Sequence, residues 1–376
     1  MNAVLSIVCE LCLTTVLAPA PMRLPDARPE KAPPFSDVVR EHFKTWDQTG
    51  RGYLTAEEVH HLVRNLSVTG PAAAVIATLH HYERIHRKNL VRFSEQFLLS
   101  VNNENATQET DRKLRLFLRT RYWHYFNQIE QTPRQLFVGD APSLDGIHQG
   151  AVGDCFVIAP IGSAVARNPE EVRRWFHPLP DGGCELVFPQ RRVRVPRLSD
   201  AEIALTSSAG SQGMWLKVLE TGVGLTEVRS GFERSDESGE DAVDHGGSAR
   251  ETYRLLTGRS FGRVDLMKTR EPERIGELIS QSLREGRLVG TGTDRTRRAN
   301  HVPTNHDYAI IGYDAERRLV HLWNPWGNRV STQGMPGIEN GFPTEGGKFS
   351  VPLNDFVRIF RAVVYETREE ARREQS

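Results

Sequence analysis

The stretch Gln149-Gly150-Ala151-Val152-Gly153-Asp154-Cys155 runs directly into Phe156-Val157-Ile158-Ala159, with Ile161, Ala164 and Val165 beyond. A glycine-rich turn feeding an apolar run of helical length requires the run to be buried, with its first turn at the edge of a core. Cys155 falls at or near that first turn. Unpaired backbone N–H groups and the helix dipole favour an anion there, so the position predicts a thiol shifted toward thiolate. An inert core cysteine is the usual alternative. The glycines two and five residues before Cys155, and Gln149 six before it, argue instead for a turn built around a reactive one. Pro160 falls early in the run and kinks the helix unless it still lies within the first turn. The other cysteines are Cys9, Cys12 and Cys184, which make neither a disulfide framework nor a zinc ribbon. Cys184 follows Gly182-Gly183 at the start of an apparent strand and reads as structural.

Two further segments bear on the same chemistry. In Asn305-His306-Asp307-Tyr308-Ala309-Ile310-Ile311-Gly312-Tyr313 the apolar residues cluster after the histidine, as in a buried strand. Leu319-Val320-His321-Leu322-Trp323-Asn324-Pro325-Trp326-Gly327 follows after a turn at residues 314–318. The two are expected to pair as an antiparallel hairpin. His306 begins one strand and Asn324 ends the other, so an amide carbonyl comes within reach of an imidazole N–H.

Together these three segments resemble the calpain family of papain-like cysteine proteases. The family pattern Gln-Gly-x-x-Gly-Asp-Cys is matched at every fixed position by Gln149 to Cys155, and Asn-Pro-Trp-Gly is present as Asn324 to Gly327. Weaker likenesses are Met214 to Gly224, Gly246-Gly247-Ser248, and Gly347-Lys348-Phe349 through Asp355-Phe356. The resemblance covers about residues 115–366, and a Cys-to-His separation of about 150 residues is usual for papain-like enzymes. It implies Cys155 as nucleophile, His306 as base and Asn324 as the residue that orients the base. It further implies an oxyanion hole from the Gln149 side chain and the Cys155 backbone N–H, with Trp326 shielding the His–Asn bond from water. The chain departs from the family at Phe156, where Trp is usual, at Asn305, where Gly is usual, and in lacking a clear second Trp shortly beyond Asn-Pro-Trp. Two rival readings are a transglutaminase-like acyl transferase, which generally orients its His with Asp, and an inactive adaptor on the same scaffold, which would be expected to have lost a triad residue.

Ahead of this core, residues 36–101 read as a small helical unit. Asp47-Gln48-Thr49-Gly50-Arg51-Gly52 and the following Tyr53 to Glu58 resemble an EF-hand loop, with Asp47 first, Gly52 sixth and Glu58 twelfth. Asp47, Thr49, Tyr53 and Glu58 are its candidate calcium ligands. Arg51 at the fifth position offers no oxygen and adds positive charge, so weak binding or none is expected. A second loop, Arg84 to Glu95, carries Arg84, His86 and Lys88 where carboxylates belong and reads as metal-free. The well-studied animal calpains carry their EF-hand domain after the core, so calcium control does not carry over from the resemblance; calcium is an activator at most, and the chemistry needs no cofactor.

The expected fold is α+β: a two-lobed papain-like core, with a helical lobe at 115–260 and an antiparallel-sheet lobe at 261–366, preceded by an all-α EF-hand-like pair at 35–105. Residues 1–34 are a signal-peptide candidate and a proline-rich linker, and 367–376 a charged tail. If residues 1–20 are cleaved, the protein is secreted or periplasmic; otherwise it is cytoplasmic. The 48 basic and 48 acidic residues balance, which asks for no nucleic-acid partner, and no apolar run is long enough to span a bilayer. The implied partners are protein or peptide substrates; no oligomeric state is implied.

Overall fold

The computed structural model describes residues 32–85, 93–103, 109–150, 153–226, 247–269 and 271–370. The leader, most of the second EF-hand-like loop, Ala151 and Val152, Gly246 and the last residues of the tail lie outside them.

The N-terminal unit comprises α1 (Phe35–Trp46), β1 (Tyr53–Leu54), α2 (Ala56–Val63), α3 (Gly70–Ile85), β2 (Phe93–Ser94) and α4 (Glu95–Leu99). Apolar residues on one face of α1 (Phe35, Val38, Val39, Phe43 and Trp46) are buried, as the helical period requires. A capping box between Thr55 and Glu58 starts α2. β1 and β2 pair antiparallel. The unit shares one hydrophobic core with the long helix α5 (Glu109–Gln131), which supplies Leu118, Tyr122, Tyr125, Phe126 and Ile129.

The helical region continues with α6 (Cys155–Arg167) and α7 (Pro169–Arg174). A small antiparallel sheet of β3 (Phe176–Pro178), β4 (Cys184–Val187) and β5 (Arg192–Val195) follows. Then come α8 (Asp200–Leu205), α9 (Trp215–Leu225) and α10 (Ala249–Thr257). Cys184 does open a strand and is buried. α8 is also the joint to the N-terminal unit: Ala201, Ala204 and Leu205 enter its core, the Gly70 N–H donates to Asp200 Oδ2 at 2.8 Å, and the Ser199 hydroxyl donates to the Val63 carbonyl.

The sheet-rich region holds β6 (Arg259–Asp265), α11 (Pro272–Arg284), β7 (Val289–Gly292), β8 (Asp307–Asp314), β9 (Leu319–Trp323), β10 (Thr344–Glu345), β11 (Lys348–Pro352), α12 (Leu353–Ile359) and β12 (Ala362–Glu370). Seven strands form one sheet in the order β10-β11-β9-β8-β7-β12-β6, antiparallel throughout. The architecture is mixed α+β, with separate helical and sheet-rich regions consistent with a papain-like two-lobed core. No helix among the described residues is long and apolar enough to cross a membrane.

α6 is what joins the two regions. It packs on β8, and its buried face shares a core with Ala309 and Trp323 of the sheet. The approach is close because Gly162 has no side chain: a Cβ there would collide with the Trp323 indole. The helix runs unbroken past Pro160, which lies beyond the first turn, so no break occurs where a kink was expected. Gly162→Ala is therefore expected to destabilise the protein by about 1–3 kcal/mol, the usual range for overpacking, although helix propensity alone favours alanine by about 1 kcal/mol. Urea denaturation reads the sign directly.

Candidate active site

The hairpin forms as the turn between two apolar segments implies. β8 and β9 pair with Ala309 opposite Trp323, and a bulge intervenes between Ile310 and Gly312. His306 immediately precedes β8 and Asn324 immediately follows β9. The His306 Nε2 group and Asn324 Oδ1 are 2.8 Å apart. The same carbonyl accepts the Trp326 N–H at 3.0 Å, and Asn324 Nδ2 donates to Asn328 Oδ1 at 3.3 Å. The Trp326 ring lies 4.3 Å from the imidazole, centroid to centroid. Both His306 and Asn324 are buried. Burial pushes His306 down to about 4, the bond with Asn324 pulling the other way. The backbone arrives at His306 through Asn305, whose φ of 50° is left-handed, a conformation open to Gly and tolerated by Asn.

Cys155 is the first residue of α6, behind Asp154 as N-cap. The turn ahead of it is held from both regions. The Gln149 N–H donates to the Pro325 carbonyl at 2.9 Å, tying it to the Asn324 loop. The Gly150 N–H donates to Ser207 Oγ at 3.0 Å, and a Cβ on Gly150 would press on the Leu205–Ser207 backbone. Gln149 is buried.

The thiol does not follow expectation. It donates to Asp307 Oδ2 at 3.9 Å and, among the described residues, makes no hydrogen bond with His306. Burial pushes the thiol well above its ordinary range, and the negative charges of Asp307 and Asp154 push the same way. The helix end that was expected to favour thiolate is outweighed by desolvation and two like charges.

Next to the Cys155 turn lies a buried polar cluster. Lys217 and Glu220, on the otherwise apolar α9, are buried together with Asp154. Lys217 Nζ donates to the carbonyls of Ile203 (2.8 Å), Ser207 (3.2 Å) and Thr206 (3.3 Å). Glu220 Oε2 accepts the Ser207 N–H at 2.7 Å. Burial, and then the Glu220 charge, hold Asp154 well above the carboxylate range. Burial pushes Lys217 down to about 7. Asp307, Asp154, Lys217 and Glu220 were not singled out for a role at the site. Two charges three residues apart within an apolar helix were the available signal.

The candidate calcium ligands Asp47, Thr49 and Glu58 bond to one another and to the loop backbone. Glu58 Oε1 accepts from the Thr49 N–H and hydroxyl (3.1 and 3.0 Å), and Oε2 from the Thr55 N–H and hydroxyl (both 2.9 Å). Asp47 accepts from the backbone of Arg51 at 3.1 Å and Gly52 at 2.7 Å. Tyr53 stands in the β1–β2 ladder opposite Ser94. Oε2 thus serves the helix cap, whereas Oε1 meets Thr49, whose hydroxyl also donates to Asp47 Oδ1 at 3.3 Å, so three of the four candidates gather in the loop; with Arg51 supplying no side-chain oxygen the donor set is a poor fit for calcium. Among the described residues no three or more His, Cys, Asp or Glu side chains gather to hold a metal.

Comparison with known proteins bears on the same region. The profile of the calpain family cysteine proteases matches residues 237–335, a span with His306 and Asn324 but not Cys155. The calpain-1 catalytic subunit of Gallus gallus is 24% identical over 285 residues, 63% of this chain and 37% of its own length. The calpain-2 catalytic subunit of Bos taurus is 24% identical over 279 residues, with the same coverage. Calpain-8 of Rattus norvegicus is 27% identical over 219 residues, 51% of this chain and 29% of its own. These matches support assignment to the calpain-like cysteine-protease superfamily. The chain spans little more than a third of the calpains it matches, and the likeness is consistent with calcium-regulated proteases in general.

Proposed function

We propose that this protein is a calpain-like cysteine endopeptidase that cuts protein substrates by limited proteolysis, with Cys155, His306 and Asn324 as its triad. The observation that carries the reading is the 2.8 Å bond between His306 Nε2 and Asn324 Oδ1 under the Trp326 ring. That bond leaves the other imidazole nitrogen as the one to take the thiol proton. Attack of the sulfur on a peptide carbonyl would form a thioester and release the amine, with the proton carried by His306; water would then hydrolyse the thioester. The Gln149 side chain and the Cys155 N–H would stabilise the oxyanion. The helical lobe would be 115–260 and the sheet lobe 261–366, with an extended peptide between them.

The thiol's bond to Asp307 makes the arrangement a resting one: the sulfur must exchange partners before it can react. Residues 35–105 are read as a degenerate EF-hand-like pair, supported by the short ladder between its loops, and no catalytic step is routed through calcium. The test is casein cleavage by the full chain, with and without millimolar calcium, before and after an irreversible epoxide. Cleavage that stops as the epoxide occupies Cys155 is the expected result. A folded protein that neither cuts casein nor takes up the epoxide sinks the protease reading and favours an adaptor.

A further inference from the structure

Asp307 is a half-buried carboxyl in unusual company. Its Oδ2 faces the Cys155 thiol at 3.9 Å, and its Oδ1 lies so close to Gly292 that a Cβ there would come within 2.6 Å of it. Around it stand Tyr308 and His306 from its own segment, Cys155 and Asp154 from the start of α6, and Tyr253 from α10. β7 presents backbone at Gly292. Among the described residues no Lys or Arg forms an ion pair with it. A carboxylate partly withdrawn from water with no cation beside it is disfavoured in its ionised form.

We propose that Asp307 is the resting partner of the Cys155 thiol, competing with His306 for its proton and thereby setting the pH range in which the sulfur is nucleophilic. The inference rests on Cys155 as the nucleophile. Ionised, Asp307 accepts the thiol hydrogen bond, and its charge opposes a thiolate beside it. Protonated, it no longer repels the thiolate and can donate a hydrogen bond to it. Burial holds the Asp307 carboxyl up at about 6 and the His306 imidazole down at about 4. Between those values Asp307 is neutral while His306 is still a free base. As pH rises through 6, Asp307 ionises and the thiol becomes harder to deprotonate, which cancels the gain from fewer protons.

The test is the rate of Cys155 alkylation by iodoacetamide against pH, followed on the Cys155 peptide by mass spectrometry. The sulfur forms the C–S bond, iodide leaves with the C–I pair, and the thiol proton goes to solvent. For the wild-type protein, log rate is expected to climb to about pH 6, stay flat over the next one to three pH units, then climb again, since a like charge this close shifts a pKa by roughly that much. Asp307→Asn removes the flat segment and raises the rate at pH 8 roughly three- to hundredfold, the lower figure allowing for the weaker nucleophilicity of a less basic sulfur. A wild-type profile of one slope, or a variant within twofold of wild type, overturns the proposal. Asp307→Ser is the second variant should Asn not fold, and the wild-type profile needs neither. Casein cleavage separates the two claims: the flat segment without cleavage keeps the Asp307 role and sinks the protease, whereas cleavage with a plain profile does the reverse.

Discussion

Alanine at Cys155 is expected to cut casein turnover by about 10⁴–10⁶-fold, alanine at Asn324 by about 10²–10⁴-fold, and the double variant no further than Cys155→Ala alone. The non-additivity is the informative part, because residues that act as one unit lose nearly everything when the nucleophile goes. Asn324 reaches the sulfur only through the imidazole. Its carbonyl accepts from His306 and from the Trp326 N–H, and its amide is held by Asn328. Deleting it frees the ring to turn and to change tautomer, so kcat should fall with KM little changed, since no substrate contact is lost. Losses that multiply in the double variant would mean that Asn324 does not work through His306.

Lys217→Met is expected to destabilise the fold by about 3–5 kcal/mol, the range for stripping one partner from a buried charged network. The methionine fills similar volume, so the cost is chiefly polar. The carbonyls of Ile203, Thr206 and Ser207 lose their shared donor, and the buried Glu220 loses a positive charge that favours its ionised form. The damage also reaches the turn before Cys155, because Ser207 holds Gly150. Urea titration by circular dichroism measures the loss, and a change below about 1 kcal/mol would show that Lys217 is a passenger. An accompanying fall in epoxide uptake by the fraction still folded would tie the cluster to the placement of Cys155.

The parts of the site that could be read from the chain are those set by local geometry. A turn between two apolar segments places His306 and Asn324 side by side whatever else the fold does, and a glycine-rich turn before an apolar run puts Cys155 at a helix start. The parts that could not be read depend on what the fold brings in from afar. The thiol's environment is decided by Asp307, a neighbour of the histidine in sequence but a neighbour of the sulfur only once α6 lies on β8. Desolvation then outweighs the helix end. Lys217 and Glu220 are charges in an apolar helix and could have been noticed there, but Asp154, buried with them, lies more than sixty residues upstream, beyond any periodicity. Glu58 illustrates the opposite hazard: its position in the loop suits both a calcium ligand and a capping residue, and the hydrogen bonds at Thr55 belong to the second role while the one at Thr49 crosses the loop.

Asn305 carries a lesson about how such motifs are written. In letters it is a mismatch to the glycine usual before the histidine; in dihedral angle, at φ 50°, it fits the same slot. The alphabet allowed there is defined by a region of the Ramachandran map, which admits Gly, Asn and Asp and turns away valine or isoleucine. A search phrased as backbone angles, with the histidine fixed one residue later, would collect relatives that a search phrased as residues discards.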